Sequence, residues 1–239
     1  MIKEFTTNLH IRPDMGTSFV DSSCSLMHSL EEPEPLLWVF LSGFYRQIRN
    51  PWLFEFYNAS KDPRISGKKV FLRDHFRAWF NLGVMGVTNS IQDTANLLMM
   101  VAKHEKVKEV RLVGGSMGAF GALAIGSFML NKGLTISVRA FNPQTLIAKG
   151  GSIQLVPEDR RKFLRAGAWT VPSWRGVFDL TKALPKSCSD FIVYFSENSP
   201  SDVRHVSRLT GTVNIPIDYN RHRVLKYLKD EGLLVDFLL

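Results

Sequence analysis

The 239-residue sequence predicts a doubly wound α/β fold, a mostly parallel sheet with helices on both faces, and three observations carry that prediction. Apolar runs alternate with helical patterns from about residue 36 to the end. The run Leu36-Leu37-Trp38-Val39-Phe40-Leu41 is apolar throughout, as a parallel strand covered on both faces must be. The strand-like Val110-Arg111-Leu112-Val113 leads through glycines straight into a helical segment, and strands joined by helices in this way require right-handed crossovers.

Taken in order, residues 1 to 35 are rich in Ser and Thr and are expected at most to supply edge strands. Pro33 and Pro35 precede the first buried strand, and Val70-Phe71-Leu72-Arg73 is a shorter second candidate. From Ser90 to His104, Ile91, Ala95, Leu98 and Ala102 share one helical face, with Asn89 or Ser90 available as a cap. Val110 to Val113 is the next strand, Gly114 to Ser116 a tight turn, and Met117 to Leu130 a buried helix stopped by Asn131 and Gly133. Further strands are expected at Thr135 to Phe141, Phe191 to Ser196 and Val213 to Ile217, with helices near Pro157 to Leu164, Asp202 to Leu209 and Arg221 to Asp230. Between Gly150 and Pro185 the pattern weakens around Trp169, Pro172 and Trp174, which fits either a lid over the carboxyl ends of the strands or a surface excursion. A single domain spanning residues 1 to 239 is expected, because 239 residues that are 45% hydrophobic suffice for one sizeable core.

Composition narrows the function. Two cysteines, Cys24 and Cys188, are too few for a disulfide framework and lack the Cys/His spacing of a zinc site, so a reducing compartment is expected. No apolar stretch follows the charges of the N-terminus, and the longest weakly polar segment, Met117 to Leu130, is shorter than a membrane span; the expectation is a cytoplasmic protein without a transmembrane segment. The net charge of +8 and the group Arg160, Arg161, Lys162 and Arg165 could serve an anionic partner. Those residues alternate with Phe163 and Leu164 as in a surface helix, and no nucleic-acid module is recognisable, so no specific nucleic-acid partner is expected.

The chemistry centres on Gly114-Gly115-Ser116-Met117-Gly118. Gly-x-Ser-x-Gly is a weak pattern alone, but here it follows a buried strand and opens a helix, where a sharp turn exposes the serine hydroxyl at the tip of the sheet. It lacks the Gly-Lys-Ser/Thr ending of a phosphate-binding loop, and glycines 114, 115, 118 and 121 do not fit GxGxxG; a tightly packed turn is the remaining alternative. A serine hydroxyl needs a histidine base oriented by a carboxylate. Of the six histidines only His205 and His222 follow Ser116. His222 lies just beyond the last expected strand and is the favoured base, whereas His205 falls inside an expected helix and needs no catalytic role. Asp202, at the end of the polar loop Ser196 to Ser201, is the favoured acid; Glu197 and Asp218 are its competitors, and capping the next helix is its alternative role. An oxyanion hole would draw one amide from Met117 and a second from Gly43 or Phe44, in the loop Leu41-Ser42-Gly43-Phe44.

Through Gly114-Gly115-Ser116-Met117-Gly118-Ala119-Phe120-Gly121-Ala122, Ser42-Gly43-Phe44 and the ordered Asp202 and His222, the sequence resembles the α/β-hydrolase family over roughly residues 36 to 239. Phe141-Asn142-Pro143-Gln144-Thr145 and Tyr194-Phe195-Ser196 look like those of compact hydrolase-like proteins linked with bacterial cell-surface polysaccharide assembly. The resemblance implies an acyl-enzyme on Ser116 and a small-molecule or carbohydrate ester as substrate, with no metal or organic cofactor. Bulky Tyr219-Asn220-Arg221 stands before His222 where small residues are frequent in the family. Three functions follow: a serine esterase, an acyltransferase using the same residues, or a non-catalytic binding component of glycan or secretion machinery.

Overall fold

The structure, a computed structural model, describes residues 25–43, 54–147 and 177–239. These residues build a seven-stranded sheet from β1 (Leu26–Ser29), β2 (Leu36–Leu41), β3 (Lys68–Leu72), β4 (Glu109–Gly115), β5 (Thr135–Phe141), β6 (Phe191–Ser196) and β7 (Val213–Ile217), in the order β1-β3-β2-β4-β5-β6-β7. β1 is antiparallel to β3, and every other pairing is parallel. The helices are α1 (Ile91–His104), α2 (Met117–Met129), α3 (Leu180–Ala183), α4 (Pro200–Val206), α5 (Val224–Asp230) and α6 (Leu234–Leu238). None of them is long and apolar enough to cross a membrane.

Alternation along each strand divides the core between the two faces. In β2, Leu37, Val39 and Leu41 join the side that also buries Ile91, Ala95 and Leu98 of α1 and Phe120 and Leu123 of α2. Trp38 and Phe40 join the opposite side with Phe71, Phe141, Tyr194 and the buried Val224, Leu228, Leu234 and Leu238 of α5 and α6. That second layer is aromatic along its length, with Phe40 stacked on Phe71 at 5.0 Å and Phe141 on Tyr194 at 5.0 Å. The doubly wound sheet with helices on both faces is therefore the architecture expected from the sequence.

Several boundaries differ in instructive ways. Ser90 caps α1 by accepting the Asp93 amide at 3.0 Å, as the sequence proposes. The helix expected from Asp202 starts two residues earlier, because Pro200 fits a first helical turn, and Ser199 holds the cap position. The helix expected from Arg221 begins only at Val224, leaving His222 in the preceding loop. β4 extends through Gly114 and Gly115, which pair with Ala140 and Phe141 of β5. The edge strand β1 and the short α6 have no clear sequence signature. Phe44, Cys24, the helix expected at 157–164 with its basic group, and most of the stretch at 150–185 lie outside the described residues.

The chain moves outward from β2 to β3 and then returns to the other side of β2 for β4, so the sheet's switch point lies between β2 and β4. In open α/β sheets that crevice, at the carboxyl ends of the strands, is where ligands bind. Leu41 of β2 pairs with Gly114 of β4 there, so Ser42-Gly43 and Gly115-Ser116 leave the sheet side by side.

Candidate active site

The turn after β4 is built by exclusion of side chains. A Cβ on Gly114 would stand 2.2 Å from the Gly118 carbonyl oxygen, and one on Gly118 would stand 2.2 Å from the Leu41 carbonyl oxygen, distances no side chain tolerates. Between them Ser116 adopts φ 51 and ψ −109, a conformation that costs an L-residue about 1–2 kcal/mol and that its surroundings must impose. The clamp is visible: the Ser116 amide donates to the Phe141 carbonyl of β5 at 2.8 Å, and the Ser116 carbonyl accepts from the Phe120 amide at 3.2 Å. The result is a partly exposed hydroxyl at the head of α2.

Three side chains separated by up to 106 positions meet at this hydroxyl. Ser116 Oγ lies 3.0 Å from His222 Nε2. His222 Nδ1 is hydrogen-bonded to Asp202 Oδ1. Asp202 is 1% exposed and His222 is 35% exposed, so the carboxylate is sealed while the imidazole opens onto the cleft. With Nδ1 carrying a proton toward the carboxylate, the Nε2 lone pair faces the serine, the tautomer a general base requires.

Each member is positioned by a separate strand end. Asp202 sits in the first turn of α4, after β6, and its second oxygen, Oδ2, accepts from Asn142 Nδ2 at 2.6 Å. Asn142, just beyond β5 with φ 50, spans the site, since its Oδ1 also accepts the Val224 amide at 3.1 Å where α5 begins. His222 lies in the loop between β7 and α5, and Ser196 Oγ of β6 fixes that loop by donating to the Arg221 carbonyl. The bulky run before His222 is accommodated because Tyr219 stacks on Tyr227 at 4.8 Å, both packed at the margin of the aromatic core.

The competing residues are engaged elsewhere. His205 is buried in α4, where its Nδ1 accepts the Thr145 amide at 3.1 Å; burial lowers the pKa of this ring, which stays neutral as that bond requires. Asp218 accepts from Asn198 Nδ2 at 2.9 Å on the surface, and Glu197 is exposed.

On the oxyanion side, Met117 opens α2, and first-turn amides of a helix have no partner within it. Gly43 lies close to the turn, as a Cβ there would be 2.9 Å from the Gly115 carbonyl oxygen. Its amide, however, donates to Glu55 Oε2 at 2.6 Å. Glu55 is held in place by its own amide, which donates to Ser42 Oγ at 3.3 Å, and burial pushes its carboxyl up to about 7 against the opposing pull of the Gly43 hydrogen bond and the Lys229 charge. Sequence reasoning missed Glu55 and the role of Asn142. The signal for the first was a lone carboxylate inside the aromatic run Trp52-Leu53-Phe54-Glu55-Phe56-Tyr57, a place that disfavours charge unless something uses it.

No protein-family profile matches the sequence, and a search of curated proteins finds no match. Solved structures do match in shape. A lipase-esterase related protein from Clostridium acetobutylicum aligns with a TM-score of 0.52 at 11% identity, covering 90% of this chain and 98% of that one. An alpha/beta hydrolase enzyme from a metagenome of lagoon sediments at Mar Chica, Morocco, aligns at 0.51 and 16% identity, covering 88% and 92%. A hydrolase from Pseudomonas aeruginosa aligns at 0.51 and 10% identity, covering 94% and 99%.

Proposed function

We propose that this chain, which has the α/β-hydrolase fold, is a serine-dependent acyl-ester hydrolase with Ser116 as nucleophile, His222 as base and Asp202 as the orienting acid. One observation carries the reading: Ser116 Oγ lies 3.0 Å from His222 Nε2 while the other ring nitrogen is bonded to a sealed carboxylate. A tightly packed structural turn has no use for that pairing.

In the mechanism, His222 Nε2 takes the Ser116 proton as Oγ attacks the ester carbonyl, and the carbonyl electrons move onto oxygen. The amide of Met117 donates to that oxygen, and the charge on the imidazolium is balanced by Asp202, which Asn142 keeps from turning away. Collapse expels the alcohol with the proton from His222. Water, activated by the same nitrogen, then releases the acid and restores the serine. Neutral and acylated-carbohydrate esters are the substrates to try first.

The test is covalent labelling by a fluorophosphonate probe read by mass spectrometry. The expected result is a single adduct on Ser116, absent in Ser116→Ala and reduced by about 10³-fold or more in His222→Ala. A folded protein that takes no label at Ser116, while a known serine esterase labels alongside it, would end this reading.

A further inference from the structure

The environment of Gly43 is at odds with a hole standing ready for negative charge. An oxyanion hole works because preorganised donors face the position where charge develops. Here the second donor anticipated from the sequence is already engaged, at 2.6 Å, by a carboxylate oxygen of the same chain. The carboxyl is placed rather than incidental. Ser42 Oγ holds the Glu55 backbone, and a Cβ on Gly115 would lie 3.3 Å from Glu55 Oε2 and 3.5 Å from its carboxyl carbon, so the group lies alongside the residue that precedes Ser116.

Resting on the reading of Ser116 as nucleophile, we propose that Glu55 is an internal competitor for the oxyanion donor: ionised, it holds the Gly43 amide and repels charge developing on the substrate; protonated or displaced, it releases that amide to the reaction. The competition has a physical basis on each side. A hydrogen bond to an ionised acceptor is roughly twice as strong as one to a neutral acceptor, so losing the charge loosens the hold on Gly43. The same charge opposes an alkoxide forming beside it, with little solvent to screen the repulsion.

Among the described residues the neighbouring charges are few. Lys229 of α5 is the cation whose field reaches Glu55, His222 is the titratable group bonded to the adjacent Ser116, and the ends of β2 and β4 present backbone, the Ser42 hydroxyl and glycines. Leu225 of α5 also packs near Gly115, its Cδ2 lying 3.0 Å from where a Gly115 Cβ would stand. The elevation of the Glu55 carboxyl to about 7 places the exchange between its two states near neutrality. This makes Glu55 a positioning residue that sets when the site accepts an ester, separate from Ser116, His222 and Asp202.

The experiment is the rate of fluorophosphonate labelling at Ser116 from about pH 5.5 to pH 9, for the full chain and for Glu55→Gln and Glu55→Ala, with unfolding curves confirming that each variant is folded. The phosphonyl oxygen takes the oxyanion position as Oγ attacks phosphorus and fluoride leaves, so the probe reads the hole directly. Because every protein shares His222, the ratio of variant to wild-type rate isolates Glu55. At about pH 8.5 only one Glu55 in roughly 30 is protonated, and the expected ratio there is about tenfold or more, falling toward unity at about pH 5.5. Equal rates at all pH values would leave the serine reading intact and overturn the competition, as would slower labelling of Glu55→Gln at acid pH. No label on any of the three proteins would remove the nucleophile reading and this inference with it. Should both variants fail to fold, a wild-type rate that never declines on the alkaline side overturns the proposal.

Discussion

Ser116 and Asn142 show how much of this site is held by single backbone residues in unfavourable conformations. Ser116→Gly removes the side-chain clash at φ 51 and is expected to raise stability by about 1 kcal/mol, or about 2–4 °C in the unfolding midpoint, while abolishing labelling. A midpoint that falls would mean that the turn is not strained. Asn142→Ala withdraws one donor from Asp202 and one acceptor from the Val224 amide; the expected cost is about 2 kcal/mol in stability. In ester turnover the same change is expected to lower kcat by about 10²-fold with little change in KM, because the acid–base pair is displaced rather than removed. A KM effect alone would argue against that positioning role. His205 supplies a pH signature of the opposite kind from Glu55. Its pKa is lowered in the fold from 6.5, so its stabilising contribution is complete above that value and is lost as pH falls below it. Glu55, raised from 4.5 to about 7, contributes stability below 4.5 that disappears as pH rises through 7. Thermal unfolding of His205→Gln and Glu55→Gln against pH should therefore diverge from wild type at opposite ends of the range.

At the scale of elements, the strand-turn-helix around Ser116 depends on contact between backbones. Gly118→Ala would drive a methyl to 2.2 Å from the Leu41 carbonyl oxygen and force β2 and α2 apart; the expected loss is about 3 kcal/mol or more, seen as a protein that unfolds early or fails to accumulate in soluble form. This unit was legible in the sequence because its glycines, strand and helix are contiguous. The strands Leu36 to Leu41 and Phe191 to Ser196 were equally legible, since buried parallel strands are short, largely apolar runs between turn signals, and Thr135 to Phe141 and Val213 to Ile217 were legible from their β-branched residues and flanking turns. The expected chain order of serine, acid and histidine singled out Ser116, Asp202 and His222, which lie together in space, without fixing their contacts. What escaped was set by tertiary context. β1 is only partly buried and takes its partner from β3, α6 is five residues long, and Glu55 gains meaning only when β2 and β4 bring Gly43 and Gly115 together. No local periodicity encodes such meetings.

For the molecule as a whole, the described residues cover the two faces of the sheet with different elements. One face receives the long α1 and α2, whereas the aromatic face is covered by the short α5 and α6 together with Phe54, Phe56 and Ile65. Removal of residues 233 to 239 would take away the buried Leu234 and Leu238 and uncover the aromatic face they pack on, and is expected to cost about 3–6 kcal/mol, measured by chemical denaturation. The Arg64–Asp236 ion pair, at 2.6 Å between side chains about half exposed, adds little to that anchoring, so the effect should be nearly independent of salt. The sheet itself carries a further asymmetry. Among the described residues, β4, which delivers Ser116, is flanked by paired strands on both sides, but β7, which delivers His222, pairs with β6 alone and leaves Val213, Asn214 and Pro216 exposed. Proteins open locally from their least protected margins before they unfold globally. Ser116 and His222, the proposed nucleophile and base, thus belong to regions of different endurance, and the strand that frays first takes His222 with it. In dilute denaturant this chain should fall silent as a catalyst while its circular dichroism is still native, with the amides of β7 exchanging hydrogen ahead of those of β4.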